Sequence, residues 1–208
     1  MLQRVSFPVA GTEIEGILHL PDGETLGGIA VLPGGIHTIE SGAYLCEAIA
    51  AAGVAALRFA HRSDDGLARL ADTAGAIRLL RSHPAIPQRI GVVGHSYGAA
   101  IAALAAGRDS RVRSAVLIVP PAQRDYFGSI KPIAELSRTR AKVLIVSATA
   151  DEVVDPGDGE RYAAVLRQGG APCRVIRIEG ADHLFTQPDH RTALTSAVTA
   201  WLRETLAG

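Results

Sequence analysis

Residues 89–106, RIGVVGHSYGAAIAALAA, pass from a short β-branched run through a glycine-flanked serine into a stretch built mostly of alanine. Ile90, Val92 and Val93 fit a strand buried on both faces, and Ala99 to Ala106 fit a buried helix. A strand of that kind belongs in a mostly parallel sheet, where helices cover both sides. The turn joining the two, Gly94-His95-Ser96-Tyr97-Gly98, is a G-x-S-x-G pentapeptide. A phosphate-cradling dinucleotide loop would sit at the same kind of turn. Glycines at 91, 94 and 98 do not give its G-x-G-x-x-G spacing.

The rest of the chain repeats the strand-then-helix alternation. Val5–Val9 and Ile14–Leu20 predict two strands, with Gly11 marking a hairpin between them. Runs at 28–32, 54–59, 89–93, 114–119, 142–147 and 173–178 bring the expected strands to eight. Helical patterns fill 41–52, 65–82, 97–106, 157–168 and 189–206. In the last of these, Leu194, Ala197, Val198, Trp201 and Leu202 form one apolar face at helical spacing. No internal repeat, low-complexity linker or shift in composition divides the chain, so 1–208 reads as a single domain.

Lys plus Arg and Asp plus Glu both number 21, so no basic field favours nucleic acid. The most apolar segment, Ala48 to Leu57, is broken by Gly53 and ended by Arg58, well short of a membrane span. Residues 1–8 are too short and mixed for a signal peptide. The two cysteines, Cys46 and Cys173, make neither a disulfide framework nor a metal-ligand spacing and read as buried small hydrophobes. A reduced, cytoplasmic compartment is the expectation. Nothing in the sequence sets an oligomeric state.

At the 94–98 pentapeptide the chain resembles the α/β-hydrolase family, and the likeness extends over nearly its full length. There G-x-S-x-G is the nucleophile elbow, a turn so tight that side chains at 94 and 98 would collide. Ser96 is expected in a strained conformation, its hydroxyl presented above the sheet edge. A serine alone is a poor nucleophile, so it needs a base, and the base needs an orienting acid. The family order is serine, acid, histidine. Here Ser96 is followed by Asp151 after "KVLIVSATA" and by His183 in "RIEGADH". The resemblance also implies an oxyanion hole from the backbone N–H of Tyr97 and that of Gly35 or Ile36 in "LPGGIHT", where Pro33 stands in place of the family's frequent histidine. His37, Tyr126, Phe127 and Leu184 are expected at the substrate. Dienelactone hydrolases carry cysteine at the elbow and haloalkane dehalogenases aspartate, so the serine points away from both.

Each triad position has rivals. Asp155 precedes Pro156, a pattern that marks a helix N-cap, whereas Asp151 lies directly after a strand, where loops project over a parallel sheet. Asp182 adjoins His183 and reads as a hydrogen-bonding loop residue. Among the seven histidines, His19 falls in an early strand, His61 and His83 in loops far from an acid signal, and His190 at the start of the last helix. The side chain of His95 should point away from that of Ser96. His183 is left as the base.

The expectation is a serine hydrolase of small carboxylic esters or thioesters, with no cofactor and no metal. An amidase or peptidase on the same triad is the nearest alternative, and a binding protein on a hydrolase scaffold the next. The span 120–141, with one short helix around Ile133 and Leu136, leaves little chain for a lid.

Overall fold

The computed structural model describes residues 1–35, 38–123 and 127–207. Eight strands form one sheet: β1 (Leu2–Val9), β2 (Thr12–His19), β3 (Gly28–Leu32), β4 (Ala55–Phe59), β5 (Ile90–His95), β6 (Val112–Ile118), β7 (Lys142–Ala148) and β8 (Cys173–Ile178). Their order across the sheet is β1-β2-β4-β3-β5-β6-β7-β8. The first two pair antiparallel through the Ala10–Gly11 turn, where both residues take positive φ (48° and 80°). That is the backbone a tight hairpin requires. β2 also pairs antiparallel with β4, and every pairing beyond β4 in the sheet order is parallel.

Among the described residues six helices cover the sheet: α1 (Ala43–Ala51), α2 (Gly66–Ser82), α3 (Tyr97–Arg108), α4 (Pro132–Leu136), α5 (Asp158–Gln168) and α6 (Pro188–Leu206). Strand residues alternate between the two faces. Ala30, Val92, Leu117 and Ile145 face a core built with α2, α3, α4 and α5. Val31, Val93, Val116 and Val146 face a second core built with α1 and α6. Because both faces are covered, β3, β4 and residues 90–94 of β5 are buried throughout rather than in alternation. Helix α3 is buried from Gly98 to Ala106, which explains its alanines: larger side chains would hold it off the sheet. Cys46 lies fully buried in the α1 core, and burial pushes its thiol up to about 12. Cys173 is only half-buried. Among the described residues no helix is long and apolar enough to cross a membrane.

Helix α5 begins later than its sequence pattern predicts. Asp155 and Pro156 lie ahead of its N-cap, Gly157. The Asp155 carboxylate accepts from the N–H of Gly157 at 2.8 Å, so it closes the turn leading into the helix. The side chain bonds a backbone N–H as expected, but it does so two residues ahead of the helix N-cap.

Candidate active site

All the strand ends that matter lie on one edge. β5 turns at Ser96 into α3, and the price of that turn is visible in the backbone: Ser96 has φ 55° and ψ −121°, a conformation that costs a non-glycine residue on the order of 1–3 kcal/mol. Its N–H is held by the carbonyl of Ile118 at 2.8 Å, and its carbonyl accepts from Ala99 at 2.8 Å. The flanking glycines are steric necessities. A Cβ on Gly94 would overlap the carbonyl of Gly98, and one on Gly98 would overlap that of Leu32.

Asp151 follows β7, and His183 sits in the loop between β8 and α6. The His183 ring spans the gap between Asp151 and Ser96. Its Nδ1 lies 2.7 Å from Oδ2 of Asp151, and its Nε2 lies 3.0 Å from Oγ of Ser96. With the proton on Nδ1, the ring donates to the carboxylate and accepts from the serine hydroxyl. The other carboxylate oxygen of Asp151 accepts the N–H groups of Val153 and Val154 at 2.8 and 2.9 Å. Those bonds fix the acid in place and leave it 8% exposed. Such an arrangement is able to take a proton from a serine and stabilise the resulting imidazolium.

Asp182 turns away from this relay. Its carboxylate accepts from the Thr186 hydroxyl and from the N–H groups of Leu184 and Thr186, and the Thr186 bonds hold its carboxyl below the usual carboxylate range. Asp155 lies in the exposed turn before α5.

The other expected residues divide. Gly34 abuts Ser96: a Cβ there would lie 3.0 Å from Cβ of Ser96. Gly35 is exposed at the surface next to it. Leu184 is 62% exposed and, with Val153 (48% exposed), Glu152 and Ala150, lines an open cleft of about 490 Å³ beside His183. Leu184 also borders a smaller cavity of about 180 Å³ with Pro33, Gly34, Tyr44 and His95. Phe127 is buried and stacked on the Tyr97 ring, centroids 5.7 Å apart, so its place is in the packing behind the elbow. Ile36, His37 and Tyr126 lie outside the described residues. No cluster of metal-ligating side chains occurs among the described residues.

Three residues escape sequence reasoning. Nε2 of His95 lies 2.8 Å from the carbonyl of His183. A carbonyl only accepts, so His95 donates, pinning the backbone of the residue that faces Ser96. His61, expected far from any acid, lies 3.4 Å from the fully buried Asp72, which also takes Nε of Arg62. Arg69 of α2 is 3% exposed and reaches the carbonyls of Gly34 and Gly35. Each contact joins segments distant in sequence, and no local pattern announces it.

A model of the dienelactone hydrolase family matches residues 47–206. The match runs across Ser96 and overturns the expectation that serine at the elbow points away from this family. Among solved structures, Est1E from Butyrivibrio proteoclasticus is similar at a TM-score of 0.85 and 17% identity, with 99% of each chain covered. An esterase from Pyrobaculum calidifontis is similar at 0.80 and 20% identity, covering all of this chain and 87% of the other. A dienelactone hydrolase from Anabaena variabilis is similar at 0.79 and 21% identity, covering 99% of this chain and 98% of the other. At these identities the likeness is one of fold. Comparison with curated proteins gives no match.

Proposed function

This chain belongs to the dienelactone hydrolase family of the α/β-hydrolase superfamily, and on that premise we propose that it hydrolyses small carboxylic esters or thioesters through an acyl-enzyme on Ser96. The observation that carries this reading is the relay from Ser96 Oγ to His183 Nε2 at 3.0 Å and from His183 Nδ1 to Asp151 Oδ2 at 2.7 Å. The Ser96 oxygen attacks the substrate carbonyl as its proton passes to Nε2 of His183. The carbonyl π-pair moves onto oxygen, where the N–H groups of Tyr97 and of Gly35 or Ile36 receive it. Collapse of the tetrahedral species expels the alcohol or thiol, which takes the proton back from His183. Water then repeats the sequence on the acyl-enzyme and releases the acid. Asp151 keeps the imidazole oriented and balances its charge throughout. The chemistry requires no cofactor.

The substrate enters from an open edge of this single domain, since the described part of the β6–β7 connection holds the five-residue α4 and no separate lid. Leu184, on the cleft beside His183, is the candidate contact for the substrate's apolar part.

The test is labelling with a fluorophosphonate probe, read by peptide mass spectrometry, beside turnover of p-nitrophenyl acetate and its thioester counterpart. The expected result is one modified residue, Ser96, with turnover lost in step with labelling. Turnover that survives full modification of Ser96 would overturn the acyl-enzyme reading.

A further inference from the structure

Arg69 occupies the second turn of α2, four residues after the cap Asp65, whose carboxylate accepts the N–H of Ala68 at 2.8 Å. A guanidinium that is 3% exposed is costly unless its donors are satisfied. Its Nε donates to the carbonyl of Ser63 at 3.3 Å. Nη1 donates to the carbonyl of Gly34 at 3.3 Å, and Nη2 to that of Gly35 at 3.0 Å and to the Asp64 carboxylate. The flat face lies over the Tyr97 ring, 5.1 Å from its centroid. One cation thus touches both segments that would bind a developing oxyanion.

The planarity of the peptide unit gives these contacts a direction. In a trans peptide the C=O of one residue and the N–H of the next point opposite ways, and no described bond is cis. Anchoring the Gly34 carbonyl on Arg69 therefore aims the N–H of Gly35 away from Arg69. The same loop abuts the nucleophile at the Cα of Gly34, where a Cβ would come within 3.0 Å of Ser96. A charged donor on the carbonyl also polarises the amide and strengthens the N–H at its other end. Glycines are otherwise free to flip such a peptide, since no side chain resists it.

We propose that Arg69 is a positioning residue for the oxyanion hole: it locks the Gly34–Gly35 peptide in its donating orientation and braces Tyr97, whose N–H is the second donor. This rests on the acyl-enzyme reading given above. Arg69 does not touch the reacting atoms. Its effect falls on the tetrahedral species, in which the carbonyl pair has moved onto oxygen, and not on the bound ester.

The experiment compares Arg69→Lys and Arg69→Met with the unmodified protein, each normalised to the fraction of Ser96 that fluorophosphonate titrates. One readout is kcat and KM for p-nitrophenyl acetate. The other is inhibition by an alkyl trifluoromethyl ketone, which Ser96 converts to a hemiketal oxyanion, against the matching secondary alcohol, which forms none. The expected result is a kcat about 10–100-fold lower with KM within about threefold, the size of loss that a displaced donor brings. Ketone affinity should fall by about the same factor as kcat/KM while alcohol affinity holds within about threefold. Arg69→Lys keeps the charge at milder steric cost and carries the test if Arg69→Met does not fold. Full kcat and ketone affinity in a folded variant, or equal losses for ketone and alcohol, would overturn the positioning role alone. Absence of Ser96-dependent turnover in the unmodified protein would instead remove the acyl-enzyme reading, and this proposal with it.

Discussion

Ser96 keeps a backbone conformation that costs energy in the resting protein, and the surrounding contacts hold it there. On the proposed acyl-enzyme reading its partners act as a unit, so their removal should not be additive. Ser96→Ala and His183→Ala are each expected to abolish ester turnover, and the double variant to be no worse than either. Circular dichroism melts should show the fold intact in all three. Near-normal turnover by Ser96→Ala would sink the assignment. The acid is separable from its rival by the same logic. Asp151→Asn keeps the shape but no longer balances the His183 charge or selects its tautomer, and a loss of about 10⁴ in kcat is expected. Asp155→Ala removes the bond to Gly157 N–H and a half-exposed ion pair with Arg161, and should cost about 1 kcal/mol in urea unfolding with kcat unchanged. A larger kinetic loss at 155 than at 151 would reverse the two roles.

At the scale of elements, the β5-elbow-α3 unit is the tightest joint in the fold. Gly98 sits where α3 crosses the end of β3, and a Cβ there would overlap the carbonyl oxygen of Leu32 and crowd that of Pro33. Neither is the end of a flexible side chain, so the backbone itself must move. Gly98→Ala should therefore destabilise by at least the 1–3 kcal/mol typical of overpacking, about that much in denaturant titration. It should also depress kcat, because the displaced segment leads into Gly34 and Gly35. A variant as stable and active as the parent would show that α3 has room to slide. The eight strands were legible because a doubly covered parallel sheet leaves β-branched runs between helical patterns, as in Val143–Val146. The serine, acid and histidine were legible because each follows a strand at the same sheet edge. Arg69, His95 and the His61–Asp72 pair were not, since their meaning lies in carbonyls and carboxylates that approach only when the sheet assembles. The start of α5 is not legible in the sequence, because aspartate before proline closes a turn as readily as it caps a helix.

For the molecule as a whole, the sheet serves as a platform with its reactive groups along one rim, and what covers that rim decides which esters it can use. The connection 119–141 between β6 and β7 is the place where this fold could carry a lid. Its described part contains only the five-residue α4 and is tied to the body: Phe127 and Leu136 are buried, the Ala122 N–H donates to Asp158, and the Tyr162 hydroxyl donates to the carbonyl of Pro121. The cleft beside His183 is open, and its apolar members Leu184 and Val153 stand largely in solvent. A methylene contributes about 0.8 kcal/mol only when fully buried, which would raise kcat/KM about fourfold for each carbon added. On an open rim a growing acyl chain soon runs into water and gains far less. The expected outcome is therefore a kcat/KM that peaks among short acyl p-nitrophenyl esters and is flat or falling beyond them. It should also cross the critical micelle concentration of a longer ester without a jump. A sustained fourfold gain per carbon, or a sharp rise at the interface, would require a buried apolar groove or a moving cover over this rim, and the open-site reading would be wrong.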